Sequence, residues 1–169
     1  MRSKVNLGLA ALSTAALLSI GLASASPASA SSYPTLQNLD LATKMCATPL
    51  ADGKTNGTIV TQWPCAEGER SQEWEVHDND YGVLYTNVAS GKCLVPSGSS
   101  TTKGTNLVLW TCDPHSEAEA WSGSNRDIWN VKSEMAITTK GGSVGKGAYL
   151  TQWPENGSVS QSWGWGIWN

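Results

Sequence analysis

Two four-residue stretches of the chain are identical, Thr61-Gln62-Trp63-Pro64 and Thr151-Gln152-Trp153-Pro154. Tryptophan is large and rigid and carries one N–H, so it suits both a packed core and an open face on which a ring can stack. The chain holds nine Trp and four Tyr but no Phe, and that count alone does not choose between the two uses. Covalent chemistry would need a nucleophile with its base, or a set of metal ligands. The two histidines, His77 and His115, stand far apart and read as solvated loop residues. Asp78-Asn79-Asp80-Tyr81-Gly82 begins like a calcium loop but lacks the later acidic ligand, so it reads as a turn before a strand. Glu67, Glu69, Glu73 and Glu75 read as a solvated loop and strand. No phosphate loop or nucleophile elbow is present. No catalytic residue, metal or cofactor is expected, and the chemistry on offer is non-covalent contact around tryptophan.

The elements that position these residues repeat. From Cys46, Gly57 lies at +11, Val60 at +14, Trp63 at +17 and Cys65 at +19. From Cys93 the same offsets give Gly104, Leu107, Trp110 and Cys112, and from Ala136 they give Gly147, Leu150, Trp153 and Glu155. Three segments share one ruler, with both cysteines replaced in the third. Such a repeat is the first fact any fold must satisfy.

The chain opens with Arg2 and Lys4, an uncharged run from Leu7 to Leu22, and the small-x-small pattern Ala28-Ser29-Ala30. This is the pattern of a secretory signal peptide over residues 1–30, with cleavage expected after Ala30 and Ala25 as the alternative. The uncharged run is too short and too rich in small residues for a membrane span. A secreted, extracellular domain over residues 31–169 is expected, with no later segment able to span a membrane. Removing Arg2 and Lys4 takes the formal net charge from −3 to −5. That sign argues against nucleic acid or an anionic membrane as partner. Export favours oxidised cysteines. The equal spacing at corresponding points favours Cys46–Cys65 and Cys93–Cys112 over the other two connectivities. Each bridge is worth about 3 kcal/mol on the chain-entropy account. A zinc site would have to draw on two repeats with no short Cys-x-x-Cys pair.

No stretch keeps a helical period, and Gly and turn residues recur too often for long helices. Ser31 to Gln37 reads as a polar lead-in. Each repeat then opens with a strand running into a turn, Leu39-Asp40-Leu41, Thr86-Asn87-Val88 and Trp129-Asn130-Val131. A second strand follows around Cys46, Cys93 and Ala136, and a third covers 58–63, 105–110 and 148–153. Asn56-Gly57 suits a tight turn. Each repeat closes on a second tryptophan in Gln72-Glu73-Trp74, Glu119-Ala120-Trp121 and Gln161-Ser162-Trp163. Ser122 to Asp127 reads as a polar bridge between repeats two and three, and 164–169 as the final strand. About four strands per repeat, three times over, favour a closed all-β arrangement that leaves few bare edges.

The repeat, the Cys-to-Cys spacing and the closing Gln-x-Trp resemble the ricin B-chain type lectin domain, a β-trefoil. The resemblance covers about Asn38 to Trp165. It implies twelve strands in three four-strand repeats with pseudo-three-fold symmetry, here about 36–77, 83–124 and 127–169. It also implies up to three shallow sugar sites, with Trp74, Trp121 and Trp163 in the core. A site of this family uses an Asp two residues after the first Cys, a polar residue two before a stacking aromatic, that aromatic, and a polar residue just before Gln-x-Trp. The aromatic is present as Trp63, Trp110 and Trp153. The Asp position holds Thr48, Val95 and Thr138. The position two before the aromatic holds Thr61, Val108 and Thr151, and the last holds Ser71, Ala118 and Ser160. Repeat two thus has an aromatic and no polar partner. Repeats one and three keep matched sets, Thr48/Thr61/Trp63/Ser71 and Thr138/Thr151/Trp153/Ser160. The carboxylate is missing from that position in every repeat, and a hydroxyl is the weaker acceptor.

These expectations describe a secreted, non-catalytic lectin-like module that binds a cell-surface glycan or polysaccharide through repeats one and three. The alternative is a protein-docking subunit of a secreted assembly, for example of toxin type, with decayed sugar sites and a Trp-rich tail.

Overall fold

The computed structural model describes residues 33–42, 44–124 and 126–166. The leader at 1–30 and the tail at 167–169 lie outside the described residues. Among those described, the chain forms twelve β-strands and six single 3-10 turns, with no α-helix. The first four strands are β1 (Thr35–Asn38), β2 (Met45–Pro49), β3 (Val60–Pro64) and β4 (Trp74–Asn79). The second four are β5 (Gly82–Asn87), β6 (Lys92–Pro96), β7 (Leu107–Trp110) and β8 (Trp121–Ser124). The last four are β9 (Asp127–Asn130), β10 (Met135–Thr139), β11 (Leu150–Trp153) and β12 (Trp163–Gly166).

Six strands close into a ring. β12 pairs with β1, β4 with β5, β5 with β8, and β8 with β9. The remaining seams are a bridge from Thr35 of β1 to Glu73 beside β4, and a bond from Arg126 N–H to the Trp163 carbonyl of 2.8 Å. The other six strands form hairpins β2–β3, β6–β7 and β10–β11. These meet through the bridges Ile59–Val108, Thr61–Tyr149 and Asn106–Thr151, which cap one end of the ring. Closure pairs the strand edges that an open sheet would leave bare. This is the expected β-trefoil.

Alternation along each strand sends one set of side chains inward. Each repeat contributes four core positions in register. They are Leu36, Ala47, Val60 and Trp74; Tyr85, Leu94, Leu107 and Trp121; and Ile128, Ile137, Leu150 and Trp163. The three Gln-x-Trp tryptophans are fully buried, as the resemblance implied. The indole N–H of Trp74 donates to the Ala47 carbonyl at 3.0 Å, and that of Trp121 to Leu94 at 2.8 Å. Trp163 departs from the pattern and donates to Ser160 at 2.9 Å. Both expected disulfides are formed, with Cα separations of 5.0 Å and 5.1 Å.

A buried asparagine ends the first strand of every repeat. Asn87 Nδ2 donates to the carbonyls of Ser71 and Glu73 at 2.8 and 3.3 Å, and Asn130 Nδ2 to those of Ala118 and Ala120 at 2.9 and 3.1 Å. Asn38 Nδ2 donates to the Val159 carbonyl at 2.6 Å. Each Oδ1 in turn accepts N–H bonds from the following turn. The asparagine therefore sews each repeat to the Gln-x-Trp turn of the one before it.

Several expectations are corrected. The residue that matches Asn87 and Asn130 is Asn38, not Asp40, because repeat one carries two extra residues in the turn after its first strand. The polar lead-in already contains the start of β1. Ser122 to Asp127 is no bridge but the tight β8–β9 hairpin, with Ser122 opposite Trp129 and Ser124 opposite Asp127. Gly123 makes this possible, since a Cβ there would collide with the Asp127 carbonyl and the Trp129 ring. Glu73 is buried rather than solvated, because it sits beneath the Asn87 anchor. His77 lies within β4, exposed beside Glu75, and Asp80-Tyr81 form the tight turn between β4 and β5.

The first residue of Gln-x-Trp holds the loop that precedes it. Gln72 Oε1 accepts Ala66 N–H at 2.8 Å while its Nε2 donates to the Pro64 carbonyl at 3.1 Å. Gln161 does the same for Asn156 N–H and the Pro154 carbonyl, at 2.7 and 3.0 Å. Glu119 accepts Asp113 N–H at 2.8 Å but, as a carboxylate, has no N–H to give. Burial raises its pKa against that bond. A raised native pKa favours the protonated native state, so this contribution is present at acid pH and lost as pH rises through the native value.

Two outcomes follow. Asn130→Ala strands two buried carbonyls and lowers stability by about 2–3 kcal/mol, read from the urea midpoint at unchanged slope. Glu119→Gln raises stability at neutral pH by about 1 kcal/mol and flattens its dependence on pH between acid and neutral.

Candidate functional site

The hairpins bring the predicted residues together by register. Thr48 lies opposite Thr61 and Cys46 opposite Trp63; Thr138 lies opposite Thr151 and Ala136 opposite Trp153. Residues two apart on a strand share a face, so Thr61 joins Trp63 and Thr151 joins Trp153. The 3-10 turns Arg70–Gln72 and Val159–Gln161 carry in Ser71 and Ser160.

In repeat three the four predicted residues line one cleft of about 460 Å³, together with Lys140, Gly141, Gly142, Asn156 and Ser158. In repeat one they line two adjoining hollows of about 320 and 400 Å³ that share Thr48, Asp52 and Trp63. Trp63 and Trp153 stand open on these clefts, 46% and 39% exposed. Trp110 is as open, but its neighbours by register, Val95 and Val108, are buried in an apolar cluster with Leu84 and Cys93. Ala118 is buried too. Repeat two offers an indole and no hydroxyl at these positions, as its sequence suggested.

The hydroxyls form the floor of the clefts. Thr48 Oγ1 donates to the Cys46 carbonyl at 2.9 Å and accepts Gln72 Nε2 at 3.2 Å. Thr61 Oγ1 donates to the Thr48 carbonyl at 2.9 Å. Ser71 Oγ is buried with no protein partner, an orphan at the base of the Trp63 cleft. In repeat three, Thr138, Ser160 and Ser158 make a hydroxyl chain with steps of 3.1 and 2.9 Å.

The wall beside each indole comes from the neighbouring repeat. A Cβ on Gly147 would sit 3.3 Å from Trp63, and one on Gly104 would sit 3.4 Å from Trp153. Both glycines have positive φ, +79° and +81°. The residue before each is a lysine whose ammonium lies over the indole, Lys146 at 5.5 Å from Trp63 and Lys103 at 5.3 Å from Trp153. At the third position, Asn56 instead bonds Thr111 beside Trp110 at 3.1 Å.

Residues that motif matching passed over also line the clefts. Asp52 is exposed in the Trp63 cleft, and Lys140, Asn156 and Ser158 lie around Trp153. Asp52 returns a carboxylate to repeat one from a different position. The one sequence sign of it is the contrast of Ala51-Asp52 with Gly98-Ser99 and Gly141-Gly142 at the same place in the repeat. Among the described residues, no cluster of His, Cys, Asp and Glu could hold a metal ion. His115 pairs with Asp80 at 2.8 Å on the surface, and the bond to Asp80 raises its pKa. Neither histidine lines either cleft.

Among solved structures, the chain is similar to an exo-β-1,3-galactanase from Clostridium thermocellum, at 21% identity and TM-score 0.69 over 81% of this chain. It spans 30% of the length of that enzyme. It is similar to the designed three-fold symmetric protein ThreeFoil at 18% identity and TM-score 0.68, over 78% of this chain and 96% of that one. It is also similar to the C-half of the earthworm R-type lectin, solved in complex with GalNAc, at 14% identity and TM-score 0.63 over 80% and 98%. These likenesses establish the fold. No curated protein matches the chain in sequence. Residues 32–163 match the ricin-type beta-trefoil lectin domain, nearly the whole of the folded part. The chain therefore belongs to the ricin-type β-trefoil lectin family.

Proposed function

We propose that the protein is a secreted, non-catalytic carbohydrate-binding module with two working sites, one at Trp63 and one at Trp153. The observation that carries this reading is the pair of open indoles, each set in a cleft floored by hydroxyls. One face of a pyranose ring is apolar enough to stack on an indole, and its hydroxyls need fixed polar partners. Thr48, Thr61 and Ser71 shape the first site, and Thr138, Thr151 and Ser160 the second. Ser71 Oγ lies buried under the first site with no protein partner. Shallow single sites bind weakly, and two on one rigid frame gain avidity on a polysaccharide or a glycan-coated surface. Two disulfides suit an oxidising compartment and therefore export.

The competing reading, a docking subunit with a sticky tail, draws support from the galactanase and from a mosquitocidal holotoxin of which the chain spans 17%. The layout of exposed tryptophan favours sugar instead. Trp165 of the tail packs against the core and meets Tyr85 edge-on at 4.9 Å, while the open indoles sit in separate clefts.

A glycan and polysaccharide array, run with the wild type and a Trp63→Ala/Trp153→Ala variant, tests the proposal. Wild type binds one or more glycans and the variant loses at least about tenfold, the scale expected when a stacking platform is removed. The variant keeps its cooperative unfolding, because both indoles are surface residues. Absence of any wild-type binding, or binding that survives in the variant, overturns the assignment.

A further inference from the structure

The two clefts match in backbone and hydroxyls but differ in charge. Around Trp63 the exposed charged side chains are Asp52 and Glu69, which line the cleft, and Lys146 over the indole. Around Trp153 they are Lys140, which lines the cleft with its ammonium over Tyr149 at 5.9 Å, and Lys103 over the indole. No carboxylate lines the Trp153 cleft. Glu155, the nearest in sequence, faces a different hollow with Asp127 and Glu134.

The difference lies in the residues placed on a shared backbone turn. The hairpin turn that reaches each cleft has consecutive left-handed residues. In repeat three these are Gly141 and Gly142, at φ +66° and +68°. In repeat one they are Ala51 and Asp52, at φ +52° and +53°. Glycine adopts this conformation freely, whereas a residue with a Cβ is strained there. Repeat one accepts that strain twice in succession, and the outcome is a carboxylate held at the Trp63 cleft. Repeat three has the relaxed sequence, and Lys140 precedes it.

Resting on the carbohydrate reading above, we infer that the Trp153 cleft takes a negatively charged sugar residue, with Lys103 and Lys140 as cationic partners. The Trp63 cleft takes a neutral sugar, with Asp52 as hydroxyl acceptor. The indole stacks on the ring in both. A carboxylate or sulfate on the ring meets two lysines and no carboxylate around Trp153, and two carboxylates against one lysine around Trp63. Charge-assisted bonds from Asp52 to sugar hydroxyls are stronger than those a threonine hydroxyl can make. One rigid frame then reads two different sugars, which suits a heteropolymer better than a uniform chain.

The test follows the indole N–H resonances of Trp63 and Trp153 by NMR, assigned with Trp63→Phe and Trp153→Phe variants. The full chain is titrated with glucose against glucuronate, galactose against galacturonate, and galactose 6-sulfate. At Trp153 each uronate binds about five- to tenfold tighter than its neutral parent, the scale of two exposed ion pairs. That preference vanishes in Lys103→Ala/Lys140→Ala and fades in 0.5 M salt, roughly a Debye length of a few ångström. At Trp63 the order reverses, and Asp52→Asn relaxes it. Sulfate matching the uronates assigns the site to charge alone, and uronates binding without sulfate assign it to the carboxylate; either supports the inference. Equal binding of neutral and charged sugars at Trp153, or a uronate preference that survives loss of both lysines, overturns it while leaving the carbohydrate reading intact. Silence of both indoles toward every sugar overturns the two together.

Discussion

The structure depends on a ring of exchanged backbone hydrogen bonds at the mouth of the three hairpins. Gly57 N–H donates to the Leu109 carbonyl and Leu109 N–H to the Thr58 carbonyl, both at 2.8 Å. The same pair of bonds joins Gly104 and Thr105 to Gln152, and Gly147 and Ala148 to Gln62. Each repeat thereby seats its long loop on the third strand of another, and the cycle returns to its start. Remove one link and the other two hairpins lose the frame against which they pack. The same bonds place a glycine and a cation against Trp63 and Trp153, so closure of the fold and construction of the clefts are one event. No single repeat builds a complete cleft.

This ring also explains the identical tetrapeptides. The side chain of Gln62 donates to the Ser143 and Gly145 carbonyls at 3.2 and 2.7 Å, and that of Gln152 to Ser100 and Thr102 at 2.7 and 3.0 Å. The glutamine clasps the arriving loop, where repeat two relies on Leu109. Two of the four shared residues therefore face opposite tasks: the glutamine holds the fold inward and the tryptophan stands outward.

The fold was legible in the sequence because symmetry made each weak sign appear three times. Strand, turn, glycine and tryptophan recur at fixed offsets, and the cysteines confirm two of the three registers. The first strand of repeat one is out of step with the shared offsets because the turn between Asn38 and Cys46 carries two extra residues. The candidate clefts were legible in their open indoles and in the apolar second repeat. Their charged groups were not, because they sit on loops whose reach depends on backbone conformation rather than on spacing. Asp52 and Lys140 stand two positions apart in the repeat, Asp52 matching Gly142 and Lys140 matching Leu50, yet the left-handed turn brings both to a cleft.

The pairing of β1 with β12 has a mechanical consequence. Thr35 lies directly across from Gly166, so the two ends of the folded chain leave from one corner, side by side. A pull applied through those ends loads the seam one rung at a time, as a zipper is opened, rather than all four rungs together in shear. A tether through both ends would therefore load this seam along its unzipping direction. Termini that meet in this way also let a domain be spliced into a host loop with little strain on either side.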